Sequence, residues 1–183
     1  MFEILKAGGW VMIPLVLASV AMVGIVLERF WSLRRSAVLP PKLGPEVRAW
    51  ARSAKVEKDH VEKLRGNSPL GAVLAEIVAH RQRSRDVLRS KAEDAGRQVT
   101  HRLGRFLNAL GTIAIISPLL GLLGTISGLI RMFLVITTAG IGDANALAGG
   151  IGEALVATAT GLVIAVIAYV FHRFFRGRVL DLA

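Results

Sequence analysis

Three long apolar stretches, separated by polar ones, dominate the pattern of the chain. They cover residues 10–27, 106–136 and 148–175. The first holds 18 residues without a charge, and each of the other two is longer. A helix needs about 20 apolar residues to cross a hydrocarbon core of ~30 Å. The pattern therefore predicts an all-α protein with three membrane-spanning helices.

The first stretch has a second interpretation, a cleaved signal peptide, because residues 18–21 are small. A signal peptide carries its positive charge before the apolar region. Here only Lys6 precedes the stretch, whereas Arg29, Arg34 and Arg35 follow it. This arrangement favours a retained membrane anchor.

The polar segments differ in charge, which predicts an orientation. Residues 28–105 contain 18 Lys and Arg against 9 Asp and Glu, whereas the connector 137–147 contains only Asp143. Cytoplasmic segments of membrane proteins are enriched in Lys and Arg. We therefore expect residues 28–105 and the tail 176–183 in the cytoplasm, with residues 1–9 and the connector outside.

The cytoplasmic segment has the composition of helices divided by breakers. Pro40, Pro41 and Pro45 end any continuation of the first span. Ser68 followed by Pro69 predicts a new helix start, with Ser68 as the N-cap and Pro69 in the first helical position.

An apolar stripe with helical spacing runs from residue 88 into the second span. Its members are Leu88, Ala92, Ala95, Val99, Leu103, Phe106 and Leu110. Because no helix breaker is evident within it, we expect one long helix extending from the membrane into the cytoplasm. One chain offers this stripe little partner surface, which favours self-association. The alternative is that it packs on helices formed by residues 46–83.

Composition narrows the class of function. Hydrophobic residues make up 53% of the chain, and its formal charge is +10. The basic residues flank apolar spans, so they indicate contact with anionic lipid headgroups at the cytoplasmic face rather than nucleic-acid binding. There is no cysteine and no phosphate-binding Gly-rich loop, and the histidines are scattered. We predict no enzyme activity, no metal site and no cofactor.

The second span carries residues that let helices approach closely. These are Pro118, Gly121, Gly124 and Gly128, of which Gly124 and Gly128 form a small-xxx-small pair. Small residues at this spacing are typical of packed membrane helices. Pro118 in mid-span indicates a bend that neighbouring groups must satisfy.

A single carboxylate, Glu153, lies in the third span. A charge within a membrane normally faces a bundle interior or a water-filled path, and it is usually paired. If the second and third helices are antiparallel with Thr125 and Thr158 level, Arg131 lies level with Gly152. An Arg131–Glu153 ion pair is therefore one interpretation, and a role of Glu153 in an ion path is the other.

The two motifs together resemble a known family. They read Ser117-Pro-Leu-Leu-Gly-Leu-Leu-Gly-Thr125 and Leu147-Ala-Gly-Gly-Ile-Gly-Glu-Ala-Leu-Val-Ala-Thr158-Ala-Thr-Gly161. This combination is similar to the MotA/TolQ/ExbB proton-channel family, on its ExbB/TolQ side.

The resemblance implies a homopentameric ring in the bacterial inner membrane, whose second and third spans line a lumen. That lumen would hold an ExbD/TolR-like single-span partner with a membrane aspartate, and a TonB/TolA-like protein would take up the mechanical output. By the same resemblance, Thr125, Thr158 and Glu153 belong to the ion pathway. Helical spacing then places Ala154 and Gly161 on the Thr158 face.

The resemblance further implies that the chain couples the proton-motive force to work in the cell envelope, such as energised transport. Protons fit better than Na⁺, since the lumen offers few ligands. The alternative is a passive oligomeric scaffold whose polar residues only hold helices together.

Overall fold

The computed structural model describes residues 9–52, 58–139 and 144–182, and these residues form helices joined by short turns. The helices are α1 (Met12–Ser32), α2 (Arg35–Val38), α3 (Leu43–Arg52), α4 (Lys58–Asn67), α5 (Pro69–Ala79), α6 (Arg85–Leu103), α7 (Leu107–Ala139) and α8 (Ala144–Leu182). No strand occurs in the described ranges. The fold is all-helical.

Three helical segments are long and apolar enough to cross a membrane. They are Met12–Ser32, Arg85–Thr137 and Ala148–Leu182, and the second of them includes a turn. Each overlaps one of the three apolar stretches of the sequence. The protein is thus a multi-pass helical membrane protein. Of the predicted outer segments, residues 1–8 and 140–143 lie outside the described residues. The rest of the predicted connector belongs to the end of α7 and the start of α8.

The chain divides into two compact units. The first consists of residues up to 26 together with residues 107–173. Its centre is the contact between α7 and α8, where glycines of α7 meet the backbone of α8. Val11, Met12 and Leu15 at the start of α1 are buried in this unit.

The second unit consists of residues 27–106 and 174–183. Helix α5 packs against α4 and α6 and also contacts α2 and α3. Leu43, Leu64 and Ala75 contribute to its apolar core. The predicted start of α5 is confirmed: Pro69 is its first residue, and the Ser68 hydroxyl accepts a hydrogen bond of 3.0 Å from the Gly71 amide.

The expectation of one uninterrupted helix from residue 86 into the second span is wrong. Helix α6 ends at Leu103, and α7 begins at Leu107 after a three-residue turn. The Arg29 guanidinium, which is buried, donates a hydrogen bond of 2.7 Å to the Leu103 carbonyl. The Arg105 amide then bonds the Arg102 carbonyl, three residues back. Gly104, which favours helix poorly, completes the break.

Other residues of the same chain cover the apolar stripe of α6 more fully than we expected from the sequence. Ala95 and Leu103 are buried, and α6 packs against α5. This packing agrees with the alternative in which the stripe contacts helices formed by residues 46–83. The stripe therefore no longer argues for self-association.

Candidate functional site

The contact between α7 and α8 is built from residues without large side chains. A Cβ added to Gly121 would come within 3.0 Å of the Thr158 Cα, and one added to Gly128 within 2.8 Å of the Gly150 carbonyl oxygen. Gly124 faces the Ala157 methyl group. The glycines therefore allow the two backbones to touch, which is the packing role that small residues have in membrane helices. Pro118 lies within α7, the helix that carries these three glycines.

Thr158 joins the two helices by a hydrogen bond. Its hydroxyl donates to the Gly121 carbonyl over 3.1 Å, and the residue is half-buried. Thr160, two positions further along α8, donates instead to the Val156 carbonyl of its own helix. Of these two threonines, Thr158 is the one whose hydroxyl crosses between the predicted pathway helices.

Thr125, the other predicted pathway threonine, has a local hydrogen bond. Its hydroxyl donates over 2.6 Å to the Leu122 carbonyl, one turn back in α7. The residue is half-buried. A hydroxyl used in this way keeps its oxygen lone pairs available as acceptors. Thr125 and Thr158 thus both donate to carbonyls of α7, Thr125 within its own helix and Thr158 from α8.

The face of α8 that helical spacing assigned to a lumen is largely occupied by α7 in this chain. Ala154 is buried and approaches Gly128, and Gly161 approaches the Ser117 carbonyl and the Gly121 backbone. Leu162, which follows Gly161, is half exposed. Ala154 and Gly161 therefore have a packing role within one chain, and their role in an ion pathway stays a prediction.

Arg131 and Glu153 form an ion pair between α7 and α8. The Glu153 side chain is 15% exposed, while that of Arg131 is 47% exposed. The pair lies on the same helix pair as the Thr158 hydrogen bond. It gives the intramembrane carboxylate the opposite charge that such a group requires.

Sequence reasoning did not place the segment before α1 in this site. Gly9 lies against both Glu153 and Arg131, and the Trp10 indole donates a hydrogen bond of 3.2 Å to the Ser127 hydroxyl. The available signal was the Gly8-Gly9 pair directly before an apolar span, since glycine permits close backbone approach.

Metal-binding side chains do not cluster in the part of the chain that the structure describes: it has no group of three His, Cys, Asp or Glu residues placed to hold an ion. The polar side chains described above on the helix pair are the hydroxyls of Thr125, Ser127, Thr158 and Thr160, together with the Arg131–Glu153 ion pair.

Comparison with known proteins gives consistent matches. Residues 65–183 match the MotA/TolQ/ExbB proton channel family. Two Synechocystis proteins named as ExbB-like biopolymer transport proteins are 33% and 36% identical to the chain. Each alignment covers 93% of the chain, with 68% of the first relative and 82% of the second. The biopolymer transport protein ExbB1 of Vibrio cholerae is 43% identical over 51% of the chain and 41% of its own length.

The family match covers well over half of the chain, and it includes α7, α8 and every pathway residue discussed above. The Synechocystis alignments extend over nearly the whole chain. Together with the three membrane helices, they show that the chain belongs to the MotA/TolQ/ExbB proton channel family, on its ExbB branch.

Proposed function

We propose that this chain is the ring-forming subunit of a proton-driven motor in the bacterial inner membrane. In this proposal it works with an ExbD/TolR-like single-span partner and couples the proton-motive force to energised transport or envelope maintenance. The observation that carries the proposal is the combination on α7 and α8 of an interhelical hydroxyl, Thr158, with an intramembrane ion pair, Arg131–Glu153. The names of the relatives, biopolymer transport proteins, support the same role.

The exposed apolar surface supports an assembly of several copies. Leu119, Leu122 and Ile126 on α7 are each about half exposed or more, as are Leu155 and Val163 on α8. Lipid can cover such residues. In the ring proposed here, part of this surface would contact neighbouring copies and part would surround a partner helix. We therefore propose a homopentamer whose α7 and α8 surround the partner.

The proton-motive force supplies enough free energy for the proposed motor to do mechanical work. Moving one proton across 100 mV supplies ~2.3 kcal/mol, so a few protons per step can displace a helix. Protons, rather than Na⁺, are the proposed coupling ion, and no cofactor or enzymatic step is required. A TonB/TolA-like protein would transmit the force.

The proposed orientation follows from charge. The basic residues of the second unit and of the end of α8 would face the cytoplasm and contact anionic lipids. Trp31, which is exposed, stacks with Arg34 at 5.0 Å, a combination suited to the headgroup region. The N-terminus and the short connector would lie outside. Nucleic acid has no part in this function.

A passive scaffold is the second candidate, and one observation favours it. Ala154 and Gly161 pack against α7 rather than leaving a polar face open. A neighbouring open reading frame for a one-span protein with an aspartate in its span would favour the motor.

The ion pair provides the test of the proposed function. We expect Arg131→Gln and Glu153→Gln each to reduce proton-driven transport at least tenfold, and the double variant to stay inactive because the carboxylate itself is needed. Transport is measured in cells lacking the native chain. The matched control is Asp94→Asn with Arg97→Gln, an exposed ion pair of the second unit, which should leave transport unchanged. Recovery in the Arg131/Glu153 double variant would contradict the proposal and leave the pair a structural role.

The oligomeric state is a separate prediction. Native mass spectrometry in mild detergent should give an assembly of five times the 19.6 kDa chain mass. The exposed apolar surface of α7 and α8 described above is available for contact between copies, and the number five follows from the family resemblance. A monomer that persists across several mild detergents would refute the ring.

A further inference from the structure

The beginning of α1 closes over the Arg131–Glu153 ion pair. The position that a Cβ would take on Gly9 is occupied by the Glu153 Oε1 atom, and the Arg131 Nη2 atom lies 2.7 Å from the same position. Gly9 has a φ of +68°, the left-handed region that favours glycine. Two separate features therefore require glycine here: the backbone conformation and the contact with the carboxylate.

A second contact fixes the same segment to α7. The Trp10 Nε1 atom donates to the Ser127 hydroxyl oxygen over 3.2 Å, and the Arg131 Nη2 atom approaches that oxygen at 3.4 Å. The Ser127 hydroxyl oxygen thus accepts hydrogen bonds from both the Trp10 indole and the Arg131 guanidinium. The Gly9 carbonyl meanwhile accepts from the Met12 amide at the first turn of α1, over 3.1 Å.

Burial around this segment indicates that it is held firmly. Val11, Met12 and Leu15, which follow it, are almost fully buried. They anchor the first turns of α1 in the first unit, so that Gly9 and Trp10 are held at the ion pair.

We infer that Gly9 and Trp10 form a clasp that positions the Glu153 carboxylate on Arg131. The Gly9 backbone lies against the carboxylate. The Trp10 indole and the Arg131 guanidinium share the Ser127 hydroxyl oxygen. Gly9 and Trp10 act through Glu153 and are positioning residues. Their effect on proton flow rests on the proposed function, whereas their contact with the ion pair does not.

If the clasp exists, the loss of stability caused by Gly9→Ala should depend on the length of the acidic side chain at position 153. Gly9→Ala should lower the thermal midpoint of the purified protein in detergent, since the new methyl group displaces the carboxylate. In a Glu153→Asp background, where the carboxylate is retained but lies one methylene further back, the loss caused by Gly9→Ala should shrink to less than half. Rescue by this conservative variant separates the clasp from backbone strain, which is the same in both backgrounds.

The matched control is Gly24→Ala. Gly24 lies in α1 with no atom within 4 Å of an added Cβ. This variant should keep the wild-type midpoint or raise it slightly. If Gly9→Ala lowers the midpoint equally with Glu and with Asp at position 153, strain at positive φ explains the loss, and the clasp is refuted.

A second cycle keeps the inference testable if Gly9→Ala does not yield folded protein. Trp10→Phe and Ser127→Ala each remove one side of the indole–hydroxyl bond, so their effects on the midpoint should be less than additive. Trp31→Phe, which removes another exposed indole, should combine additively with Ser127→Ala. Fully additive Trp10 and Ser127 effects would overturn this part of the clasp.

These stability cycles need no partner protein and no proton gradient. Their failure would refute the clasp whatever the transport assays show. Conversely, transport that survives loss of the Glu153 carboxylate would refute the proposed function and leave the clasp as a structural contact. In the combined proposal, Gly9→Ala also reduces proton-driven transport at least threefold, with partial recovery in the Glu153→Asp background compared with Glu153→Asp alone.

Discussion

Thr158→Val abolishes proton-driven transport while the protein still folds and assembles: this is the largest functional effect that we expect. Valine keeps the branched shape of threonine but removes the hydroxyl that donates to the Gly121 carbonyl. A single neutral hydrogen bond contributes about 0.5–1.5 kcal/mol to stability, so its loss alone does not unfold the helix pair. With its hydrogen donated to Gly121, the hydroxyl oxygen still accepts, so it can hold a water or accept from a protonated partner carboxyl group. Proton flux into cells, measured with the assembled partner present, reports the loss.

Thr160→Val is the matched control for this experiment. It makes the same chemical change in the same helix, but the Thr160 hydroxyl bonds the Val156 carbonyl of α8 itself. We expect this variant to transport at nearly the wild-type rate. Wild-type flux in Thr158→Val would show that its hydroxyl only holds α7 and α8 together and that the ions pass elsewhere.

Gly161→Ala should strongly destabilise the contact between α7 and α8. The new Cβ would come within 2.5 Å of the Ser117 carbonyl oxygen and 3.1 Å of the Gly121 Cα. Both neighbours are backbone atoms, so relief requires α7 and α8 to move apart along their contact. Overpacking of this kind costs about 1–3 kcal/mol. A lower thermal midpoint in detergent and a lower yield of assembled protein are the expected results.

Gly149→Ala provides the control for that prediction. Gly149 lies in the same helix, and no atom lies within 4 Å of an added Cβ. Alanine favours helix over glycine by about 1 kcal/mol, so this variant should be neutral or slightly stabilised. Equal loss in both variants would mean that the α7–α8 contact is looser than the structure has it.

The sequence alone was sufficient to predict the local features of this protein. Long apolar stretches required three helices of spanning length, because a backbone in lipid must satisfy its own hydrogen bonds. Ser68 and Pro69 specified the start of α5, since the cap needs only a side-chain oxygen and the amides that follow it. The level of Arg131 relative to Glu153 also followed from the regular rise of two antiparallel helices.

Features that depend on distant residues were decided by the tertiary structure. The break between α6 and α7 involves Arg29, which bonds the Leu103 carbonyl from 74 positions away. Helical spacing placed Ala154 and Gly161 on the Thr158 face, but only the fold shows that α7 covers them. Gly9 lies against Glu153 although the two are far apart in the sequence, a contact that no local pattern encodes. Periodicity determines which residues share a helix face, whereas the neighbour that covers that face is determined by how the helices pack.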